Sequence, residues 1–304
     1  MLFTICSNLL AQDITAPSYY EKDPLLSEKL VDMVKELGLD KDFNVGEDGV
    51  EQISLAVIDL NGDKPKLGGV NYDNFIYPAS VYKIYVAAEI LHQAAMDSLK
   101  LDDWHVVKSP NDVDKVKELA NDPRALLHYG DSVTVNYLLD LMITRSDNSA
   151  SNFMIDIAQR SNINRLMHQY NWQGSEVTRK FLKRSLEDPA YADAEGTMTC
   201  ALHAADFMYK VETNQLVNPW VSMQMKALLG RQLDKSKLAE GLPKNVMYYN
   251  KTGWWSYWTN DVGIVNGGDT KYIIACFLPL EQELALPLMK ALSKRVYDLM
   301  KERH

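Results

Sequence analysis

A serine and a lysine stand three residues apart at the head of an apolar run, in the segment YPASVYKIYVAAEI at residues 77–90. Residues i and i+3 share one face of a helix, so the Ser80 hydroxyl and the Lys83 ammonium can come within hydrogen-bond reach. A serine hydroxyl becomes a strong nucleophile when a nearby base takes its proton. A lysine can be that base when desolvation and a second cation lower its pKa. The alternative is a helix-capping serine followed by a solvated lysine.

A second motif, Ser146-Asp147-Asn148, lies at a break between two helical patterns. The Ser146 hydroxyl could relay a proton to a leaving group there. The Asn148 amide could orient both Lys83 and a substrate carbonyl. Asp and Asn are also frequent at helix junctions because they form turns, so this motif alone does not establish a site.

A third motif, Lys251-Thr252-Gly253, falls on a predicted strand. The cation and the hydroxyl could bind a substrate carboxylate, and Gly253 would let another backbone approach closely. The next N–H, from Trp254, could face an oxyanion. The alternative is a solvated strand lysine followed by a glycine at a bulge.

The elements that must position these motifs follow from hydrophobic periodicity. Helical spacing predicts helices over residues 25–38, 80–97, 200–211, 220–230 and 281–301, with two more inside 133–168. Apolar or alternating runs predict strands over 53–60, 66–72, 245–255, 260–267 and 271–280, and residues 171–196 have no regular pattern. Both ends of the chain therefore supply strands to one sheet, and a helical middle is inserted between them.

The composition excludes some partners. The net charge of −9 and the pI of about 5.2 argue against nucleic acid or an anionic membrane surface. No apolar run reaches the roughly 18–20 residues needed to cross a bilayer. The first twelve residues, MLFTICSNLLAQ, fit a short secretory leader or a frayed N-terminus. Cys200 and Cys276 are expected to be buried free thiols rather than a disulfide.

Taken in order, the three motifs resemble those of the penicillin-recognising serine hydrolases, above all the class A β-lactamases. The separations of 66 residues from Ser80 to Ser146 and 105 from Ser146 to Lys251 are close to those of that family. The flanking sequences GDSVTVNYLLDLMITRSDNSASNFMI, LAEGLPKNVMYYNKTG and TNDVGIV are also similar. The resemblance extends from about residue 25 to the C-terminus.

The resemblance implies an α/β (α+β) fold of the β-lactamase/transpeptidase type, with an antiparallel sheet flanked by helices and a separate all-helical lobe. The α/β lobe would comprise residues 21–88 and 217–304 and the helical lobe residues 89–216, after a leader or flexible N-terminus at 1–20. The site would lie between the lobes. We expect a periplasmic or secreted monomer that acts on a small molecule without a cofactor or metal.

The same resemblance implies roles for individual residues. Ser80 would be the acylated nucleophile, Lys83 its proton partner and Ser146 the leaving-group relay. Asn148 would position the substrate, and Lys251 and Thr252 would bind its carboxylate. Gly253 would allow close approach, and the backbone N–H groups of Ser80 and Trp254 would form the oxyanion hole.

Three departures from the family pattern concern the loop and the pocket. Class A enzymes carry a glutamate about three dozen residues after the Ser-Asp-Asn serine, which activates the water that hydrolyses the acyl-enzyme. Here that count reaches Leu182, and Glu187 is the nearest candidate, with a solvated loop charge as the alternative. Bulky residues, including Trp255 and Trp258, follow Lys-Thr-Gly as pocket wall or core. Thr259 replaces an arginine that binds carboxylate in many relatives.

These features predict a serine hydrolase of the class A β-lactamase type, which opens β-lactams or related amides and esters through a Ser80 acyl-enzyme. Loss of a positioned base slows deacylation by about 10²–10⁴, so the acyl-enzyme would be long-lived. Turnover of β-lactams would confer antibiotic resistance. One alternative is a penicillin-binding D-alanyl-D-alanine peptidase or an esterase. Another is a non-catalytic binding module with the same fold.

Overall fold

The computed structural model describes residues 14–45, 51–117 and 119–304. Eight α-helices occur in this part of the chain: α1 Pro24–Glu36, α2 Lys83–Ala95, α3 Val135–Asp140, α4 Asn148–Ala158, α5 Arg160–Gln169, α6 Ala201–Glu212, α7 Pro219–Gly230 and α8 Gln282–Glu302. The strands are β1 Glu21–Lys22, β2 Ser54–Asp59, β3 Lys66–Val70, β4 Trp104–Val106, β5 Ser132–Thr134, β6 Met247–Trp255, β7 Trp258–Asn266 and β8 Lys271–Leu278.

Six of the strands form one sheet in the order β1–β3–β2–β8–β7–β6. All neighbours are antiparallel except β1 and β3. The N-terminal and C-terminal parts of the chain meet where β2 pairs with β8, with Val57 opposite Ile274. This arrangement confirms a sheet built from both ends of the chain, with a helical region between β3 and β6. The short parallel strand β1 at the edge of this sheet was not predicted.

The central strands are apolar on both faces because helices cover both sides of the sheet. Leu55 and Val57 point into a core that is shared with α1 and α8. Ala56 and Ile58 point the other way, into the larger core that contains α2, α4 and α6. Side chains alternate between the faces of a strand, so two cores explain the near-continuous apolar run.

Helix α2 runs through the interior of the larger core. Every residue from Lys83 to Leu91 is buried. The preceding residues Ala79–Tyr82 form a 3-10 turn, so the α-helix begins at Lys83 rather than at Ser80 as the periodicity predicted. The turn places Ser80 at the entrance to the core and Lys83 just inside it.

Two further local features differ from the prediction. The second helical pattern within 133–168 is divided into α4 and α5 at Gln159, whose φ of 63° is left-handed. The pair β4–β5 adds a two-stranded ribbon that was not predicted. The twelve residues that fit a leader lie outside the described residues, whereas Tyr20, at the end of the predicted flexible N-terminus 1–20, is buried in the larger core. Cys200 and Cys276 are buried free thiols, as predicted. None of the described helices combines the length and apolarity that crossing a bilayer requires.

Candidate active site

Ser80 lies in the 3-10 turn at the entrance to α2. The turn begins with Ala79 in the left-handed region at φ 46°, which costs a residue with a side chain some energy and is typical of functional turns. The Lys83 N–H donates to the Ser80 carbonyl. The Ser80 side chain is half-buried and lines a cavity of about 1210 Å³. The turn therefore fixes the backbone of Ser80, and its side chain is accessible from the cavity.

Lys83 is fully buried, and its ammonium points toward the Ser-Asp-Asn motif. It donates to Asn148 Oδ1 at 2.9 Å, to the Ser146 carbonyl and to Ser146 Oγ at 3.3 Å. The Asn148 amide nitrogen donates to Asp114 Oδ1 at 3.1 Å, which fixes the orientation of the amide. Asn148 thus orients Lys83, and one of its N–H groups is left for a ligand.

Ser146 has a left-handed backbone, with φ 62°, where the π-helix Leu141–Arg145 ends. Asp147 then caps α4 by accepting from the Ala150 N–H at 2.7 Å, and it pairs with Arg145. Burial, together with the negative charge of Asp114, raises the pKa of Asp147. The sharp change of direction turns the Ser146 hydroxyl toward the two lysines.

Lys251 approaches Ser146 from the sheet. It is fully buried on β6, and its Nζ donates to Ser146 Oγ at 2.9 Å and to the Thr252 carbonyl at 2.7 Å. Lys83 and Lys251 therefore both bond to one hydroxyl, although they lie in α2 and in β6. A hydroxyl between two ammonium groups can pass a proton between a nucleophile and a leaving group.

Gly253 brings β6 into backbone contact with the nucleophile turn. A Cβ atom on Gly253 would lie 2.4 Å from the Pro78 carbonyl oxygen and 3.0 Å from the Ser80 nitrogen. A larger residue would push the strand away from the turn. The close approach brings the backbone of β6 beside Ser80, where Ser80 and Trp254 could together supply two N–H groups to an oxyanion.

The bulky residues and the threonine that follow Gly253 lie in different environments. Trp254 and Trp255 line the cavity and are 42% and 65% exposed. Trp258 is buried in the core. Both predicted environments for the tryptophans, the pocket wall and the core, therefore occur. Thr259 is also buried and donates to the Leu280 carbonyl at 2.8 Å, so its hydroxyl is bonded within the fold and does not offer a carboxylate-binding group to the cavity.

The structure does not bring Glu187 to the site. Its carboxylate is buried and pairs with Arg160 at 2.6 Å, and it also accepts from the backbone N–H groups of Lys180 and Asp188. Glu187 therefore fixes the shape of the loop rather than reaching the cavity. Both predicted roles are therefore wrong: Glu187 is neither a water-activating base nor a solvated charge, but one partner of a buried ion pair.

Phe181 occupies the position that faces Lys83, although no motif in the sequence marks it. Its ring stacks on Tyr82 at 4.6 Å, and the Lys83 Nζ lies 4.3 Å from the ring centroid. The Asn152 side chain holds the Phe181 backbone from both sides: it accepts from the N–H at 2.8 Å and donates to the carbonyl at 3.3 Å. An apolar ring thus stands over Lys83, one residue before the position reached by counting from Ser146.

The carboxylates that line the cavity are Asp112, Asp114 and Asp147. Asp114 accepts from the backbone N–H groups at the start of α4, and Asp112 accepts from the Ser109 hydroxyl at 2.7 Å. Asp147 is bound to Arg145. Each carboxylate thus has a structural partner in the described part of the chain.

Comparison with known proteins agrees with this geometry. The model of a family described as the beta-lactamase enzyme family matches residues 39–300. No curated protein matches the chain significantly by sequence.

Solved structures share the fold. The structure of PBP-A has a TM-score of 0.75 at 16% identity, covering 95% of this chain and 100% of that chain. A β-lactamase from Sphaerobacter thermophilus DSM 20745 has a TM-score of 0.74 at 18% identity, covering 90% and 98%. A point mutant of PBP-A, solved as an acyl-enzyme complex with penicillin G, has a TM-score of 0.74 at 16% identity, covering 93% and 98%.

Proposed function

The chain belongs to the beta-lactamase enzyme family, and from this premise we propose that it is a serine hydrolase that attacks β-lactams or related amides and esters through an acyl-enzyme on Ser80. We further propose that this acyl-enzyme is long-lived. The observation that carries the proposal is the convergence of Lys83 and Lys251 on the Ser146 hydroxyl beside the nucleophile turn.

Acylation follows from the positions of these groups. The Ser80 oxygen attacks the carbonyl carbon while Lys83, entering this step as the neutral amine, takes the hydroxyl proton, and the C–N or C–O bond to the leaving atom then breaks. The proton then passes through Ser146 to the leaving nitrogen or oxygen, because Ser146 is bonded to both lysines. The N–H groups of Ser80 and Trp254 stabilise the oxyanion, and such donors each contribute about 10²–10³ in rate.

The substrate is held by the same strand. Lys251 and Thr252 would bind its carboxylate, and Asn148 would donate its remaining N–H to an acyl carbonyl. Trp254 and Trp255 offer exposed indole faces at the mouth of the cavity. Large exposed aromatic surfaces beside a polar site suit a substrate with an apolar side group.

Deacylation is slow because Phe181 stands where a water-activating group would be needed. A phenyl ring cannot accept a proton from water, and the cavity carboxylates are bound to structural partners. This observation favours the alternative of a penicillin-binding enzyme over an efficient β-lactamase. The likeness to PBP-A, one mutant of which was solved as an acyl-enzyme with penicillin G, supports the same preference. Such a role would place the protein in the periplasm or outside the cell.

The test is to mix the protein with a chromogenic cephalosporin or with a penicillin, and to follow colour release and intact mass together. We expect a stoichiometric adduct that persists after excess ligand is removed, and its absence in Ser80→Ala. Continuous rapid colour release would contradict the long-lived acyl-enzyme. Ester cleavage without an adduct would indicate an esterase, and complete inertness a binding module.

A further inference from the structure

The cavity beside Ser80 is positively charged in a chain whose net charge is −9. Its anionic lining residues are the three aspartates named above, whereas six of its lining side chains are cationic: Lys115, Lys117, Arg145, Arg179, Lys180 and Lys183. A cleft with an excess of one charge attracts ligands of the other charge. The electrostatic field of this cavity therefore favours an anionic substrate, although the net charge of the whole chain is negative.

Arg179, which is half-buried, differs from two other cations of this lining, the buried Arg145 and the half-buried Lys180. Arg145 pairs with Asp147 at 2.7 Å, and Lys180 pairs with Asp156 at 2.5 Å. For the Arg179 guanidinium no ion pair occurs within residues 14–45, 51–117 and 119–304, and its Nε is a buried donor without a hydrogen-bond partner. Buried donors in native proteins are nearly always bonded, so an unbonded one in a cavity wall indicates a place for a ligand acceptor.

The backbone at Arg179 is held firmly beside the nucleophile turn. The Tyr82 hydroxyl donates to the Arg179 carbonyl at 3.1 Å, and Tyr82 is buried two residues after Ser80. On either side, the Thr178 N–H donates to Thr197 Oγ1 at 3.1 Å and the Lys180 N–H donates to Glu187 Oε2 at 2.8 Å. Because the backbone is already fixed, binding would have to order only the rotamers of the Arg179 side chain. The buried Arg160–Glu187 pair thus indirectly positions Arg179.

We propose that Arg179 is a specificity-determining residue that binds a carboxylate on the acyl portion of the substrate. Its guanidinium offers the planar pair of donors that a carboxylate accepts best. We assign Arg179 to a different carboxylate from the one that Lys251 and Thr252 would bind, because Arg179 lies in the loop that contacts Tyr82 of the nucleophile turn, whereas Lys251 and Thr252 lie on β6. The substrate class is then an acyl donor with an acidic side group, an inference that rests on the proposed function.

A matched pair of penicillins tests the proposal. Benzylpenicillin and its α-carboxy derivative carbenicillin differ by one carboxylate on the acyl side chain. Second-order rate constants for formation of the Ser80 adduct are measured by intact mass for both compounds. We expect the carbenicillin-to-benzylpenicillin ratio to fall about 10-fold or more in Arg179→Gln, because a charge-assisted bond is lost. Arg179→Lys should retain part of the ratio.

Arg184→Gln is the control, because it removes the same charge from the same loop at an exposed residue outside the cavity lining. Its ratio should equal that of the wild type. An unchanged ratio in Arg179→Gln, or an equal loss for both penicillins, would overturn the assignment of Arg179 while leaving the acyl-enzyme intact. If wild-type protein forms no adduct with either compound, the proposed function fails, and this inference fails with it.

Discussion

The Ser146 hydroxyl is the atom at which the two buried lysines meet. Its left-handed backbone is enforced from both sides, by the end of the π-helix and by the Asp147 cap of α4. Arg145 reinforces the cap because it bonds to Asp147 and to the carbonyls of Arg124 and Ala125. Strained conformations of this kind persist only where the surroundings determine them fully. At the scale of single residues, the site depends on this one rigid corner.

Phe181 offers the sharpest single-residue prediction. Asn152 fixes the backbone at this position, so a carboxylate placed there should face Lys83 as the ring does now. A positioned general base contributes about 10²–10⁴ to a rate. We therefore expect Phe181→Glu to shorten the lifetime of the penicillin adduct at least 10-fold, measured by the return of free enzyme mass after a pulse of ligand.

Leu182→Glu is the matched control for this change, since it adds the same charge at the next residue of the same cavity wall. It should leave the adduct lifetime unchanged. If both variants deacylate equally fast, the gain comes from charge in general. If Phe181→Glu keeps the wild-type lifetime while still acylating, the ring is not what prevents hydrolysis.

Most residues of the site, but not all of them, could be predicted from the sequence. The order and spacing of the three motifs were sufficient to predict that Lys83 and Lys251 meet the Ser-Asp-Asn motif. The loop was harder, because counting from Ser146 gave Leu182 and chemistry gave Glu187. The contact of the Lys83 ammonium with the Phe181 ring, together with the two bonds from Asn152 to the Phe181 backbone, identifies Phe181 as the residue over Lys83. A one-residue shift in an irregular loop has no signal in spacing or composition.

Among the structural elements, β6 and the turn before α2 form the contact that closes the site. This contact depends on Gly253, because no Cβ fits between the strand and the Pro78 carbonyl. The other side of β6 is fixed by its ladder with β7, where Gly253 lies opposite Asn260. The strand therefore cannot shift without disturbing the sheet.

Gly253→Ala should separate β6 from the nucleophile turn. Overpacking of this kind costs about 1–3 kcal/mol of unfolding free energy. Displacing an oxyanion donor costs about 10²–10³ in rate. We expect acylation by a penicillin to slow about 100-fold, measured by intact mass, with a moderate drop in the urea midpoint.

Gly196→Ala tests whether the effect is specific. Gly196 also belongs to the cavity lining, but a Cβ there would meet nothing within 4 Å. Its acylation rate and urea midpoint should match those of the wild type. A Gly253→Ala variant that acylates as fast as Gly196→Ala would show that the close approach is not needed for the chemistry.

The elements themselves were largely readable from hydrophobic periodicity. The hairpin of β2 and β3 and the run β6–β7–β8 were predicted because apolar residues fill both faces of a covered sheet. The ribbon β4–β5 was missed because each strand has only three residues, too few to give a pattern. The break at Gln159 was missed because neither glycine nor proline marks it.

At the scale of the whole molecule, the cavity joins segments that lie far apart in the sequence. The nucleophile turn, the Ser-Asp-Asn corner, the loop around Arg179 and the end of β6 all contribute to its lining. The two cores on either side of the sheet hold these segments in register. The irregular loop lacks such a core of its own, so its position depends on polar bonds to buried groups.

Asp206 is one of these buried groups and connects three parts of the molecule. From α6 it accepts from the Tyr20 hydroxyl at 2.6 Å, from the Trp172 indole nitrogen at 2.9 Å and from the Tyr19 hydroxyl. Asp206 is only 1% exposed to solvent. The segment before β1 and the start of the irregular loop are thus both bound to a helix that packs on the sheet.

We expect Asp206→Asn to lower the unfolding free energy by about 2 kcal/mol, because hydrogen bonds to a charged group contribute about 1.5–3 kcal/mol each and an amide offers only one acceptor oxygen. Urea unfolding with an unchanged m-value is the measurement. Asp298→Asn on α8 is the comparison, since its pair with Lys294 is exposed and should contribute less than about 1 kcal/mol. If the two variants lose the same unfolding free energy, the buried Asp206 contributes no more to stability than an exposed charge does. The apolar packing of Tyr20 and Trp172 would then be sufficient to hold these segments.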